Sequence, residues 1–194
     1  VLWMCQFHRL HHDPRYSKNY NFNVTFPLFD LVFKTLRMST RKEFYKKIEN
    51  WITARLNSTA KKPQLIGING SQGIGKSTLC AHLVKSFADR GIKAVSLSID
   101  DFYYTRNEQI ALAAKHADNP LLQERGYACT HDIALGERVL RSLKNGEPTS
   151  VPVYNKSAHG GKGDRAPEKE WQKIDKSVDV VLFDGWMLGH RADD

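Results

Sequence analysis

A glycine-rich stretch between an apolar run and a helical pattern constrains this chain more than any other feature of its sequence. Residues 70–77 read Gly-Ser-Gln-Gly-Ile-Gly-Lys-Ser, which matches the spacing G-x-x-x-x-G-K-[ST]. The apolar run 65–68 precedes them, and apolar residues recur at helical spacing over 77–90. Glycines let such a loop curl so that successive N–H groups point at phosphate oxygens, and the helix N-terminus adds positive potential. This context predicts a loop that binds a polyphosphate.

The residue types within the loop indicate what each position does. Lys76 can reach the β- and γ-phosphates and is a candidate catalytic residue, while the Ser77 hydroxyl can ligate a metal ion. We therefore expect ATP with Mg²⁺ as the bound cofactors. The residues expected to hold the nucleotide are Gly70, Ser71, Gln72, Gly73, Ile74, Gly75, Lys76, Ser77 and Thr78. The alternative is a glycine-rich turn without a ligand, which the strand–turn–helix context disfavours.

Two further apolar runs end in carboxylates. Residues 180–183 lead into Asp184, and residues 94–99 lead into Asp100 and Asp101. The carboxyl ends of parallel strands face the ligand crevice, so Asp184 is expected to help hold Mg²⁺. One of the adjacent pair is expected to accept the proton of an attacking hydroxyl. Because neighbouring side chains of an extended chain point apart, the other would face Mg²⁺ or solvent; a purely turn-forming pair is the alternative.

The stretch 151–165 concentrates basic and aromatic side chains around glycines. These side chains are Tyr154, Lys156, His159, Lys162 and Arg165. A mobile basic loop suits closure over an anionic substrate. An ordinary polar surface loop is the alternative.

Strands alternate with helical patterns from residue 63 onward, which predicts an α/β fold with a mainly parallel sheet. Helices are expected over 77–90 and 107–117, and a third is expected after Asp132. Before this domain, an amphipathic helix over 38–62 is expected to pack on the core. Its apolar positions are Phe44, Ile48, Trp51, Ile52 and Leu56.

Residues 1–37 follow no sustained strand or helix period, and we interpret them as an extension upstream of a domain that begins near Met38. The extension contains a cysteine close to several histidines, but their spacing fits no common zinc pattern. The chain therefore divides into an extension over 1–37, the helix over 38–62 and the α/β domain over 63–194.

Charge and composition disfavour several classes of partner. The formal net charge is +8, but residues 1–62 carry all of it, with 12 basic and 4 acidic residues against 17 of each in 63–194. Nucleic-acid binding is therefore unlikely for the α/β domain. The sequence has no run of 18 apolar residues, so we expect no membrane association. Three scattered cysteines and no secretory signal indicate a reducing, cytoplasmic compartment.

Five ordered segments resemble the plant-type D-glycerate 3-kinases and their fungal and bacterial ATP-dependent kinase relatives. These segments are GINGSQGIGKSTL, SLSIDDFYYT, LLQERGYACTHD, VPVYNKSAHGGKGDR and VVLFDGWMLG. The relatives belong to the uridine kinase–phosphoribulokinase–pantothenate kinase group. The resemblance implies a P-loop NTPase fold of the kinase type, with a parallel sheet and flanking helices. Because these relatives continue well past the FDGW segment, it also implies that the C-terminal part of the domain is missing here.

The resemblance implies transfer of the ATP γ-phosphate to a hydroxyl of a small organic acid, D-glycerate first. It favours Asp100 over Asp101 as the catalytic base. It places five residues on the acceptor side, and of these Lys156 or Arg165 is expected to pair with the substrate carboxylate. The five are His131, Asp132, Tyr154, Lys156 and Arg165.

Three other functions stay open from the sequence. The acceptor of the phosphoryl group can be a nucleoside, pantothenate or a sugar phosphate. The chain can also be a non-catalytic ATP-binding regulatory protein. Nucleic-acid binding by the basic first 62 residues is the weakest of the three.

Overall fold

The computed structural model describes residues 41–59, 63–175 and 177–189. These residues divide into two compact units, one containing 41–55 with Gly70–Gly75 and the other containing Leu56–Asn69 and the residues from Lys76 onward. The predicted extension, its cysteine–histidine cluster and the start near Met38 lie outside the described residues. The division into an extension, a helix and an α/β domain therefore stays a prediction.

Helices and strands alternate as predicted only up to residue 115 of the described chain, after which a further α-helix and then five strands follow one another. The helices in these ranges are α1 (Arg41–Ser58), α2 (Lys76–Ala88), α3 (Arg106–Lys115) and α4 (Ile133–Asn145). The strands in these ranges are β1 (Gln64–Asn69), β2 (Ala94–Ser98), β3 (Thr149–Val151), β4 (Tyr154–Asn155), β5 (Asp164–Arg165), β6 (Gln172–Ile174) and β7 (Val180–Gly185). Two antiparallel pairs, β3 with β6 and β4 with β5, accompany a parallel sheet.

Helix α1 forms where the apolar spacing predicted it, with Ile52 and Leu56 as buried residues. Trp51, which was assigned to the same apolar face, is instead exposed, and the guanidinium of Arg55 lies 5.2 Å from the centre of its ring. One residue is 100° around a helix, so Trp51 cannot share the line through the buried positions 52 and 56. The packing of α1 on the α/β core stays a prediction.

The parallel sheet has the order β1-β7-β2, so the last strand of the described chain lies between the first two. Three consecutive residues at the start of β7 are fully buried: Val180, Val181 and Leu182. A strand that is apolar on both faces needs neighbours on both sides and cover on both faces, which fits the central position. The register places Asp184 opposite Ile68 of β1 and Ser98 of β2.

The two helices nearest the sheet begin and end at the predicted signals. Helix α2 stops before Gly91, whose φ of 72° gives the left-handed conformation that ends a helix. Asp132 caps α4 by accepting a hydrogen bond of 2.9 Å from the backbone N–H of Leu135, and Gly146 ends α4 with a φ of 72°.

One apolar cluster joins α4 to the sheet. Its buried members are Leu97, Phe102, Leu135, Val139, Leu143, Val151, Ile174, Val178 and Val181.

A short 3-10 helix, Ile99–Phe102, continues directly from β2. Backbone hydrogen bonds join the end of this turn to the residues before α4: Tyr104 N–H donates to Thr130 at 3.1 Å, and Asp132 N–H donates to Phe102 at 2.8 Å. The turn after β2 and the start of α4 are therefore held side by side.

Over the described ranges, no helix has the length and apolar character that crossing a membrane requires.

Replacing Leu143 by alanine is expected to lower the free energy of unfolding by about 2–5 kcal/mol, because it leaves a cavity in the cluster between α4 and the sheet. Leu143 is 2% exposed, whereas Ile133 on the same helix is 68% exposed. The control Ile133→Ala should therefore change stability by no more than about 0.5 kcal/mol. Urea denaturation measures both, and equal effects would contradict this description of the core.

Candidate active site

The glycine-rich loop has the backbone conformation that its composition predicts. Gly73 and Gly75 adopt φ values of 75° and 94°, a region that residues with a Cβ rarely enter. Among the described residues, no atom lies within 4 Å of a Cβ built at either position, so conformation rather than crowding calls for glycine there. Lys76 follows the loop directly as the first residue of α2. Nucleotide binding by residues 70–78 stays a prediction.

The carboxylate of Asp184 is the most buried acidic group at the carboxyl ends of the strands, at 3% exposure. Its Oδ1 accepts a hydrogen bond of 2.9 Å from the Ser98 hydroxyl, and its Oδ2 accepts one of 3.2 Å from the Ser77 hydroxyl. The structure therefore brings the two predicted metal-binding residues, Ser77 and Asp184, into direct contact. Ser98 is a third participant that sequence reasoning missed.

The oxygen atoms around Asp184 fit a magnesium ion. Mg²⁺ prefers oxygen ligands and is usually bound through one or two carboxylates together with substrate phosphates. A buried carboxylate beside two serine hydroxyls matches that preference. Within the described ranges, no group of three or more His, Cys, Asp or Glu side chains is gathered in a way that could hold a metal ion.

The neighbouring acids Asp100 and Asp101 have different environments. Asp101 Oδ2 accepts a hydrogen bond of 2.9 Å from the Ser98 backbone N–H and closes the capping box of the 3-10 helix. Burial raises the pKa of Asp101, although hydrogen bonds from the backbone of Ser98 and Tyr154 oppose this. Backbone donors therefore engage the Asp101 carboxylate, and the expectation that the second acid faces Mg²⁺ or solvent stays a prediction.

Asp100 is the acid that stays accessible. Its side chain is 24% exposed, and its Oδ2 lies 2.6 Å from the Nζ of Lys156. Lys156 is 61% exposed, so its ammonium remains open to solvent on its other sides. Two residues 56 positions apart in sequence thus form one ion pair at the end of β2.

His131 and Tyr103 form the apolar floor beside Asp100. Their rings are stacked with centroids 4.2 Å apart, and both side chains are buried. Burial lowers the pKa of His131, although the negative charge of Asp100 opposes the shift. The imidazole is consequently neutral at pH 7, and it contributes shape and dipole rather than charge. Burial, together with the Asp100 charge, also raises the pKa of Tyr103.

The guanidinium of Arg165 is engaged in hydrogen bonds within the protein. It is 9% exposed, its Nε and Nη2 donate to the carbonyl oxygen of Tyr103 at 3.1 and 2.7 Å, and its Nη1 donates to Asp132 Oδ2 at 3.3 Å. Asp132 also caps α4, but its side chain is 26% exposed, about as much as that of Asp100, so only Arg165 is closed off by its bonds. Of the two predicted partners for a substrate carboxylate, only Lys156 has an exposed head group. Tyr154 is buried too, with its ring 5.3 Å from that of Tyr103.

Arg125 is a participant that sequence reasoning did not single out, although it lies in the segment LLQERGYACTHD. Its guanidinium carbon lies 5.5 Å from the centre of the Tyr154 ring, and it donates hydrogen bonds to backbone carbonyls of the loop 156–163. The contact depends on tertiary packing alone, because 31 residues separate Arg125 from Lys156.

A cleft of about 700 Å³ opens at the carboxyl ends of β1 and β7. Apolar and aromatic side chains predominate in its lining, with asparagines among them. The residues that line it are Asn69, Asn119, Leu121, Leu122, Tyr127, Ala128, Cys129, Trp186, Met187, Leu188 and Gly189. In open parallel sheets, ligands bind in the crevice outside the carboxyl ends of the strands, which is where this cleft lies.

Known proteins share both the sequence and the fold of this chain. An uncharacterized kinase of Schizosaccharomyces pombe is 44% identical over 131 residues, which are 66% of this chain and 47% of that protein. The chloroplastic D-glycerate 3-kinase of Arabidopsis thaliana is 41% identical over 133 residues, which are 66% of this chain and 29% of that protein. The solved structure of a D-glycerate 3-kinase from Cryptococcus neoformans aligns with a TM-score of 0.66 at 33% identity, over 74% of this chain and 52% of that one.

The chain spans about half or less of the length of these proteins. Their shared fold confirms the predicted P-loop kinase architecture of a parallel sheet with flanking helices. The model of one family matches residues 65–192, which is most of the chain and contains all the strand-end acids described above. The chain belongs to the Phosphoribulokinase / Uridine kinase family.

Proposed function

We propose that this chain carries the phosphoryl-transfer centre of a MgATP-dependent kinase whose acceptor is a hydroxyl of a small organic acid, D-glycerate. The observation that carries the proposal is the contact of 2.6 Å between Asp100 and Lys156 at the carboxyl end of β2. In this contact the Asp100 carboxylate, which can accept a proton, lies beside the exposed Lys156 ammonium, which can bind the carboxylate of a substrate. The D-glycerate 3-kinases among the relatives of the chain support this acceptor class.

The nucleotide side of the reaction uses residues 70–78 and Asp184. The loop N–H groups and Lys76 bind the phosphates, while Ser77 and Asp184 provide oxygen ligands for the metal, Asp184 directly or through water. Mg²⁺ supplies charge neutralisation on the phosphate oxygens when it is bound. Because the hydroxyl of Ser77 already contacts Asp184, these ligands are positioned before the nucleotide arrives.

Asp100 acts as the general base in this proposal. The acceptor hydroxyl oxygen forms a bond to the γ-phosphorus, the bond from that phosphorus to the bridging oxygen of ADP breaks, and the hydroxyl proton moves to the Asp100 carboxylate. Asp100 suits this role because it is accessible, whereas the hydrogen bond that Asp101 accepts from Ser98 makes it a positioning group.

Lys156 selects an acidic acceptor. An anionic substrate that approaches Asp100 is repelled by the like charge, and a nearby ammonium offsets that repulsion. Lys156 can do so because its stem is flexible and its head group is exposed. Arg165 is excluded from this role by its bonds to Tyr103 and Asp132.

Acceptor-dependent ADP release tests the proposed function. We expect turnover with D-glycerate to exceed turnover with uridine or pantothenate at equal concentration. Asp100→Asn should lower kcat by about 10²–10⁴-fold, because removing a general base costs that much. ADP release that is independent of every acceptor would contradict the proposal.

The neighbouring acid provides a matched control. Asp101→Asn keeps one oxygen as an acceptor for the Ser98 N–H and lacks a charge that burial disfavours, so stability should change by no more than about 1 kcal/mol. Its kcat should fall less than tenfold. A loss of kcat as large as that of Asp100→Asn would show that Asp100 is not the base.

Lys156→Met keeps the length of the side chain and removes its charge. We expect KM for D-glycerate to rise by about 10–150-fold, which corresponds to losing a charge-assisted hydrogen bond of about 1.5–3 kcal/mol. KM for ATP should stay within about twofold, because Lys156 contacts the acceptor rather than the nucleotide. Initial-rate kinetics with each substrate varied separately measure both constants, and equal rises in both would overturn the assignment.

Asp184→Asn tests the metal side. The concentration of Mg²⁺ needed for half-maximal activity should rise by about 10–100-fold, as it does when a group that orients metal ligands is lost. The exposed Asp175, at the end of β6, provides the control Asp175→Asn, which should leave the requirement unchanged. Magnesium titration at fixed ATP measures both variants, and an unchanged midpoint for Asp184→Asn would remove Asp184 from the metal site.

A further inference from the structure

The loop 156–163 bears Lys156 at one end and has an unusual backbone. His159 adopts a φ of 51°, which is uncommon for a residue with a side chain, and Gly160, Gly161 and Gly163 also have positive φ. Within the loop, the N–H of Gly163 donates to the carbonyl of Ala158 at 2.8 Å. A strained segment keeps one conformation only when its surroundings hold it. The position of Lys156 therefore depends on what binds this loop.

The guanidinium of Arg125 donates hydrogen bonds to several backbone carbonyls of this loop. Its Nη1 donates to Gly161 at 2.9 Å and also to the carbonyl of Lys162, and its Nη2 donates to the carbonyl of Lys156 at 3.3 Å. Three carbonyl oxygens spread over seven residues thus converge on one guanidinium. A planar fork with five N–H donors can serve them together, whereas an ammonium group on a flexible stem cannot reproduce that geometry.

The other side of Arg125 faces a buried aromatic ring. Its guanidinium carbon lies 5.5 Å from the centre of Tyr154, and the Tyr154 ring lies against Tyr103. Tyr154 and Tyr103 are both buried, so this surface is rigid, and a cation over an aromatic face adds attraction. The guanidinium is consequently fixed between a rigid floor and the loop above it.

Gly163 is required for this close approach. A Cβ at position 163 would lie 2.6 Å from Nη1 of Arg125 and 2.6 Å from Cε1 of Tyr154, well inside van der Waals contact. Its φ of 80° is also unfavourable for other residues. The absence of a side chain at Gly163 therefore allows the loop backbone to lie close to the Arg125 guanidinium.

We propose that Arg125 is a positioning residue that orders the loop 156–163 and thereby holds the Lys156 ammonium at Asp100. This inference rests on the proposed function for its kinetic consequences, but not for its structural ones. Arg125 acts through the loop backbone and needs no contact of its own with the acceptor. Its effect should therefore depend on Lys156.

A double-mutant cycle in the full chain tests that dependence. Arg125→Lys keeps the charge and loses the fork, and KM for D-glycerate should rise on the order of tenfold or more, with KM for ATP within about twofold. In the Lys156→Met background the same change should raise KM by less than about twofold, because the group it positions is already gone. Equal factors in both backgrounds would overturn the proposal, and so would an unchanged KM in the single variant.

A surface arginine supplies the matched control. Arg141 is an exposed residue of α4 that pairs with Glu137 one turn away. Arg141→Lys should leave both KM values within about twofold of the parent, since exposed pairs of this kind contribute little. A rise in KM that Arg141→Lys shares would show a general effect of arginine loss and would count against Arg125.

Hydrogen exchange of the backbone amides tests the structural part without any substrate. In Arg125→Lys, amides of residues 158–163 should exchange on the order of tenfold faster, while the midpoint of global unfolding stays as in the parent. Gly163→Ala should also speed exchange in the loop, because its Cβ would meet both the guanidinium and the Tyr154 ring, although this clash and the positive φ should lower its global midpoint as well. Unchanged exchange in the loop for both variants would overturn the proposal. If D-glycerate proves not to be the acceptor, the exchange experiment still decides the role of Arg125.

Discussion

The buried carboxylate of Asp184 is the group on which the arrangement of the strand ends depends, and the proposed chemistry uses the same group. An uncompensated charge in a protein interior costs several kcal/mol, and hydrogen-bond donors must offset that cost. The hydroxyls of Ser98 and Ser77 are such donors, one at the end of the neighbouring strand and the other in the first turn of α2. The carboxylate therefore ties β2, β7 and α2 together at the edge of the sheet where the nucleotide is proposed to bind. The two hydroxyls stabilise the carboxylate by hydrogen bonds, and a cation bound there would neutralise its charge.

On the proposed acceptor side, Arg165 and Arg125 are held by the protein, whereas Lys156 is the residue that we propose to meet the substrate. Arg165 and Arg125 satisfy backbone carbonyls with their guanidinium forks, and each is fixed by several hydrogen bonds. Lys156 makes one ion pair and keeps its head group exposed. This division follows from chemistry: a rigid fork with five donors suits a structural task, whereas a flexible point charge can exchange one carboxylate partner for another. Such an exchange, from Asp100 to the acid group of the acceptor, requires little movement of the backbone.

How much of this could be predicted from the sequence depends on the range of the interactions involved. The three strands of the parallel sheet, the glycine-rich loop and the caps of α4 are specified by neighbouring residues, and their patterns placed them within a few positions. The order β1-β7-β2, the contact between Ser98 and Asp184 and the carbonyls gathered by Arg125 join distant segments, so no local pattern contains them. The hydrogen bond that Asp101 accepts from Ser98 was likewise not predicted, because a turn begins at Ile99 and alternation along an extended chain no longer applies.

Ser98 connects the two sides of the site through a single residue. Its hydroxyl donates to Asp184 and accepts from the backbone N–H of Asp100 at 3.3 Å, and its own N–H donates to Asp101. The proposed base and the proposed metal ligand are thus separated by one hydrogen-bonded side chain rather than by a mobile loop. Phosphoryl transfer depends on holding the attacking oxygen in line with the γ-phosphorus, and misplacement by about 1 Å is costly in rate. In the proposed mechanism, the separation of the base from the metal ligand is therefore set at the end of β2 rather than by the loop that carries Lys156.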